Sequence, residues 1–204
     1  MAAAVERDAD EHRAKMIRIK AAKDRLYAGK TQEKGLLIVY TGTGKGKSTA
    51  AWGLAMRCLG HGLKLGVVQF VKGRSVPGER KLLERFPELV TIKVMGQGFT
   101  WETQDRAQDI AAARAAFDEA KLMLQDPDLH LVILDELNIV LRYETLPLGE
   151  VIEALAARRP GLHVVVTGRN AKPELIEAAD LVTEMKLVKH PFRQGIKGQL
   201  GVEF

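Results

Sequence analysis

Cysteine is nearly absent: the chain has one in 204 residues, Cys58, so no disulfide framework braces the fold. A cysteine-based metal site is disfavoured for the same reason. Cys58 falls inside a predicted helix and reads as a small buried apolar residue. Long apolar runs are missing too, and nothing approaches the roughly 20 residues that a membrane span requires. The opening stretch, MAAAVERDADEHRAKM, has no apolar core of the kind a signal peptide carries. These absences point to a cytoplasmic protein without a membrane partner. There is no internal repeat and no low-complexity segment. Aromatic residues make up only 5% of the chain, so any place where two lie close together stands out.

An acidic excess is also lacking. The net charge is +5, which favours anionic partners such as nucleotide phosphates, nucleic acid or an anionic surface. Solubility alone accounts for it equally well. What remains is ordinary globular material, 46% hydrophobic and 28% charged, of a length that suits one domain.

Residues 1–34 show no strand pattern. Met16, Ile19, Ala22 and Leu26 recur at helical spacing, which predicts a short amphipathic helix over 11–27. Such an arm serves as a lid, a dimer arm or a solvated tail. From Gly35 onward, strands and helices alternate. The predicted strands are GLLIVY, KLGVVQF, VTIKVM, HLVILDE, LHVVVTG and LVTEMKLV. Several are continuous apolar runs, as expected where both faces of a sheet are covered. The clearest helix is predicted at 103–125, with Ile110, Ala113, Phe117, Ala120 and Leu124 as its apolar stripe. LGHG at 59–62 reads as a helix stop and RPG at 159–161 as a turn before a strand. The expected fold is α/β: a doubly wound, mostly parallel sheet of about six strands over 35–204, with an N-terminal helical extension over 1–34.

The chemistry starts at VYTGTGKGKSTAAWG. The phosphate-loop pattern is G-x-x-x-x-G-K-[ST]. Gly46, Lys47 and Ser48 match its second half and Thr49 follows, while Thr41 stands at the first glycine position and Gly42 comes next. A strand precedes the stretch and a helix follows it. Gly42, Gly44 and Gly46 permit the backbone angles that turn N–H groups toward an anion, with Thr43 and Lys45 between them. The helix N-terminus adds partial positive charge. Lys47 is expected to bridge phosphate oxygens and Ser48 to meet Mg²⁺ (or Mn²⁺). Lys45 adds a second cation.

HLVILDELNIVL places Asp135 and Glu136 at the end of an apolar strand, on the edge of the sheet where ligands bind. Mg²⁺ takes one or two carboxylates plus phosphates, so this pair reads as the second half of a nucleotide site. A helix N-cap with acids in its first turn is the plainer account. Asn138 is either a supporting polar group or a surface residue. MGQGFTWETQ sets Phe99 and Trp101 two residues apart, which suits a large flat ligand. Core packing fits them equally. A GTPase is disfavoured, because NAKPE at 170–174 has the wrong order for a guanine reader. A small-molecule kinase, an ATPase and a nucleotide-dependent nucleic-acid binder stay open.

YTGTGKGKSTAAWGLAMRCLGHGLKLGVVQFVKG, GQGFTWETQD, VILDELN, VTGRNAKPELIEAADLVTEMKLVKHPF and the terminal GVEF occur in this order. Together they resemble the P-loop type cob(I)alamin (corrinoid) adenosyltransferases over nearly the whole chain. The resemblance implies a P-loop NTPase (RecA-like) fold and a transferase using ATP and a corrinoid. On that resemblance, cobalt(I) would attack the 5′ carbon of ATP and triphosphate would leave. It further implies phosphate contacts from Gly42 through Thr49 and a metal held by Ser48 and Glu136. Phe99 and Trp101 would lie under the corrin, displacing the lower ligand so that cobalt(II) is reduced more easily. Asp135 and Arg169 are further candidates, Arg169 for the nucleotide. A homodimer, a flavoprotein reductant and a lid role for the N-terminal helix are implied as well, with no nucleic acid. Thr43 departs from the asparagine of many relatives, and Gly198 from an alanine.

Overall fold

The computed structural model describes residues 2–71, 76–95 and 105–203, with side chains from residue 10 onward. They form two compact units, Met1–Glu33 and Lys34–Phe204.

The first unit is one helix, α1 (Ala2–Ala28). It begins nine residues before the predicted start. The added turns are alanine-rich with neither glycine nor proline, so nothing in them stops a helix until Gly29. Its apolar stripe builds no core of its own: Met16, Ile19 and Leu26 are all exposed. Lys20 and Asp24, one turn apart, pair at 2.7 Å.

The second unit is a six-stranded sheet of β1 (Leu37–Thr41), β2 (Lys64–Gln69), β3 (Val90–Val94), β4 (Leu129–Asp135), β5 (His163–Thr167) and β6 (Leu181–Glu184). Every pairing is parallel, and the order is β3-β2-β4-β5-β1-β6. All six predicted strands exist, but β6 is half its predicted length. Its four residues are exposed at the sheet edge. Beyond Glu184 the chain leaves the ladder and runs over the loop that follows β1.

Between the strands lie α2 (Lys47–Gly60), α3 (Gly78–Leu83), α4 (Arg106–Gln125), α5 (Leu137–Arg142), α6 (Leu148–Ala156) and α7 (Pro173–Ala178). Asp105 caps α4, its carboxylate accepting from the N–H groups of Ala107 and Gln108. α2 stops at Gly60, and Gly62 just beyond takes φ +69°, as the LGHG signal requires. Both sheet faces are covered. Alternate residues of one strand enter different cores: Ile38, Val67, Ile133 and Val165 pack with Ala51, Trp52, Ala55 and Cys58 of α2. Val39, Val68, Leu134 and Val166 pack on the other side with Phe117, Ala120 and Leu124 of α4. Cys58 is therefore a core residue, its thiol pushed up by burial. Ile110 is a correction to the α4 stripe: it lies one turn from the helix start and stays exposed.

Candidate functional site: the carboxyl edge of the sheet

The strand order sets the site. β1 and β4 flank β5, so the loops leaving β1, β4 and β5 lie side by side at the carboxyl edge. That is where an open α/β sheet leaves a crevice. The loop after β1 enters α2 through Gly46, whose φ of +106° only glycine adopts readily. Gly42, at φ +98°, shares that demand, and it and Gly44 also answer to a second constraint. A Cβ on Gly42 would sit 2.4 Å from the carbonyl oxygen of Met185, and one on Gly44 2.7 Å from that of Lys186. The Gly44 N–H donates to the Met185 carbonyl at 2.6 Å. These two glycines admit the chain leaving β6 against the loop.

Lys47 is buried, and its ammonium folds back to donate to the Gly44 carbonyl at 2.6 Å. Burial lowers its pKa, Arg169 and Lys45 lower it further, and Glu136 opposes them. A desolvated ammonium beside two other cations is a group that gains from an arriving phosphate.

The acids divide in role. Asp135 is buried with both oxygens engaged: Thr167 Oγ1 donates to one at 2.7 Å and Gln69 Nε2 to the other at 3.1 Å. Thr167 Oγ1 in turn accepts from the Glu136 N–H at 2.9 Å. Glu136 takes a left-handed backbone, φ 62° and ψ 22°, which costs a non-glycine residue about 1 kcal/mol. Its carboxyl is pushed up to about 7 by burial and then by Asp135, against the pull of Lys47 and Arg169. A carboxylate whose charge is this unwelcome is relieved by a divalent cation. Asn138, fully buried, donates through Nδ2 to the Gly168 carbonyl at 2.9 Å. Gly168 has φ +126°, and a Cβ there would lie 2.8 Å from Asn138 Cβ and 3.1 Å from Glu136 Oε2. The turn that carries Arg169 is thus seated directly on the Glu136 loop.

Gln69, Asp135 and Glu136, with Ser48, Thr49 and Arg80, line a cavity of about 490 Å³. That volume lies in the range of small-molecule and cofactor sites. Gly201, Val202 and Glu203 complete part of the wall. The structure brings together Lys47, Ser48, Asp135 and Glu136 as the spacing predicted. Arg169 is exposed, and its charge favours the ionised form of Glu136 and opposes that of Lys47. Thr43 is exposed on the loop. Phe99 and Trp101 lie outside the described residues. Gln69, Thr167 and the C-terminal tail were not foreseen. A polar residue ending each apolar strand, as in GVVQF and VVVTG, is the only signal for the first two.

Among the described residues, no helix is long and apolar enough to cross a membrane. Residues 33–204 match the family described as ATP:corrinoid adenosyltransferase BtuR/CobO/CobP. A corrinoid adenosyltransferase of Pseudomonas aeruginosa is 56% identical over 95% of this chain and 95% of its own. One of Sinorhizobium sp is 52% identical over 99% of this chain and 95% of its own. One of Escherichia coli K12 is 48% identical over 92% and 94%.

Proposed function

The chain belongs to the ATP:corrinoid adenosyltransferase family, and from that premise we propose how its residues carry the reaction. The enzyme transfers the 5′-deoxyadenosyl group of ATP to a cob(I)alamin-type corrinoid. A cobalt–carbon bond forms, the C5′–O bond breaks, and its electron pair leaves with triphosphate. In most phosphate-loop enzymes the broken bond lies between phosphates. Here the loop grips the leaving group whole.

One observation carries the assignment of roles: Ser48, at the start of α2, and Glu136, after β4, line the same cavity beside buried Lys47. Lys47 moves from the Gly44 carbonyl to phosphate and stabilises the charge that gathers on the departing oxygen. Lys45 and the N–H groups entering α2 hold the rest of the chain of phosphates. Ser48 Oγ and Glu136 would hold Mg²⁺, with Asp135 tied back by Gln69 and Thr167 so that it supports the site without leaving it. Such an ion would neutralise phosphate charge. The residues fit such an ion: one carboxylate free of protein partners among the described residues, one hydroxyl, and room for phosphate oxygens. Arg169 faces the nucleotide. Phe99 and Trp101 lie under the corrin and withhold a lower ligand from cobalt. A flavoprotein supplies the electrons, and the enzyme works as a cytoplasmic homodimer, with α1 as a lid.

The deciding experiment is anaerobic. Protein, MgATP and chemically reduced cob(I)alamin are mixed, the cobalt spectrum is followed, and the phosphate product is identified. Light-sensitive adenosylcobalamin with triphosphate is expected; ADP or inorganic phosphate would overturn the reading. Trp101→Ala is expected to slow reduction from cobalt(II) more than transfer to pre-reduced cobalt(I). Equal losses in both assays would remove the aromatic pair from its place under the corrin.

A further inference from the structure

Lys45 is the cation of the phosphate loop for which the loop pattern has no use. It is already engaged. Its ammonium forms an ion pair with the carboxylate of Glu203, 158 residues away and next to the end of the chain. Glu203 reaches it from a tight terminal turn. The N–H groups of Val202 and Glu203 both donate to the Gln199 carbonyl, at 3.2 and 2.8 Å, and Gly201 takes φ +78°. This turn supplies the Gly201–Glu203 part of the cavity wall.

Among the described residues little else holds the turn in place: apart from that pair, the hydrogen bonds of 195–203 are local, with Gly195 and Ile196 donating to Phe192 and Pro191. Leu200 and Val202 are about four-fifths exposed, so they provide no apolar anchor. Among the described residues, the Lys45–Glu203 pair is the polar tie between tail and loop. Glu203 is also the wrong sign for its position: a triphosphate in the loop brings several negative charges toward a carboxylate in the same wall. Lys45 can satisfy one or the other.

We propose that Glu203 is a C-terminal latch. It is an internal anion that occupies Lys45 in the nucleotide-free enzyme and is displaced when a triphosphate binds, freeing the 199–203 turn from the loop. This rests on the reading that the loop holds the triphosphate of ATP. The latch makes Glu203 a determinant of nucleotide affinity that opposes binding, although it lies in the site. It also makes the cavity wall responsive to the nucleotide.

The test measures MgATP binding by calorimetry and amide hydrogen exchange across 199–203. Glu203→Gln keeps the size and removes the charge at a position where folding is not at stake. It should bind MgATP about three- to fivefold more tightly than wild type at low salt, the scale of one partly exposed ion pair. The gap should narrow at high salt. In a Lys45→Ala background the same substitution should change affinity by less than about twofold, because the pair is already broken. In wild type, exchange across 199–203 should quicken when MgATP is added; in Glu203→Gln it should be fast from the start. Equal or weaker MgATP binding by Glu203→Gln, or a wild-type tail whose exchange ignores MgATP, overturns the latch. Failure of wild type to bind MgATP at all instead removes the phosphate-loop reading, and the latch with it.

Discussion

The two ends of the sheet are built from the same strands and have little else in common. At the carboxyl ends lie Thr41, Gln69, Asp135 and Thr167, with Lys47 and Asn138 just beyond, six of the seven buried polar or charged residues described. Glu136 and Asn170 hold left-handed backbones at that edge. At the amino ends, an apolar hollow of about 280 Å³ is lined by Leu36, Leu54, Cys58, Leu63, Leu131 and His163. Its polar business is modest: His163 Nδ1 accepts from the Leu36 N–H at 3.2 Å, and His130 stands against the His163 ring at 4.9 Å. Burying polar groups costs free energy even when they are paired. Concentrating that cost at one edge marks it as the working end, while the opposite edge is arranged for cohesion. The same contrast explains why Glu136 sits where its charge is disfavoured and its backbone is strained.

Substitutions can break this contrast if it is wrong. Lys47→Ala should lower kcat/KM for adenosyl transfer by about 100- to 1,000-fold, the cost of losing one group that stabilises a developing anion. Its urea midpoint should stay close to wild type. A large loss of stability with little loss of rate would reverse the assignment. At the other end, Leu162→Ala empties a fully buried site just before β5 and should cost about 3 kcal/mol in urea unfolding. Its kcat/KM should remain within about twofold of wild type while the protein is folded.

A finer distinction comes from Glu136→Gln. The folded protein holds this carboxyl up to about 7, above the usual value of 4.5, so its ionised form is disfavoured on folding. The wild type therefore loses stability as pH rises from about 4.5 to about 7 and does not regain it above. The glutamine variant escapes that loss. With metal chelated it should be more stable than wild type at pH 8, by on the order of 2 kcal/mol, and no different at pH 4. It should nonetheless be nearly inactive. A variant less stable at pH 8 would show that the charge is accommodated after all. The smallest effect belongs to His163, whose pKa is lowered by burial, with His130 and Arg158 adding to it. The fold prefers the neutral ring, so stability is lost as pH falls below about 6.5. Thermal melts of His163→Gln from pH 7.5 to 5.5 should show a shallower acid decline than wild type. Activity at pH 7.5 should be unaltered. Identical slopes would place the acid sensitivity elsewhere.

Much of this was readable in advance, because local patterns carried it. Six apolar runs became six strands, and the glycine-lysine stretch became a left-handed entry into a helix. Asp135 and Glu136 were identified by ending an apolar run. Errors fell where a boundary depends on neighbours. β6 stops at Glu184 because its continuation is taken up against Gly42 and Gly44, and α1 runs on because nothing local interrupts it. Ile110 joined a helical stripe by spacing, yet it stays exposed near the start of α4.

The sequence by itself determined the class of fold, the phosphate loop and the acid pair, since each is a short-range pattern in which periodicity and residue type leave little choice. The tertiary structure decided the rest. Which carboxylate is tied down depends on strand order: Gln69 and Thr167 reach Asp135 only because β2 and β5 flank β4. The pairing of Lys45 with Glu203 depends on where the 199–203 turn is placed against the loop after β1. Contacts between residues 32 to 158 positions apart are set by how the whole core closes, and no window along the chain contains both partners.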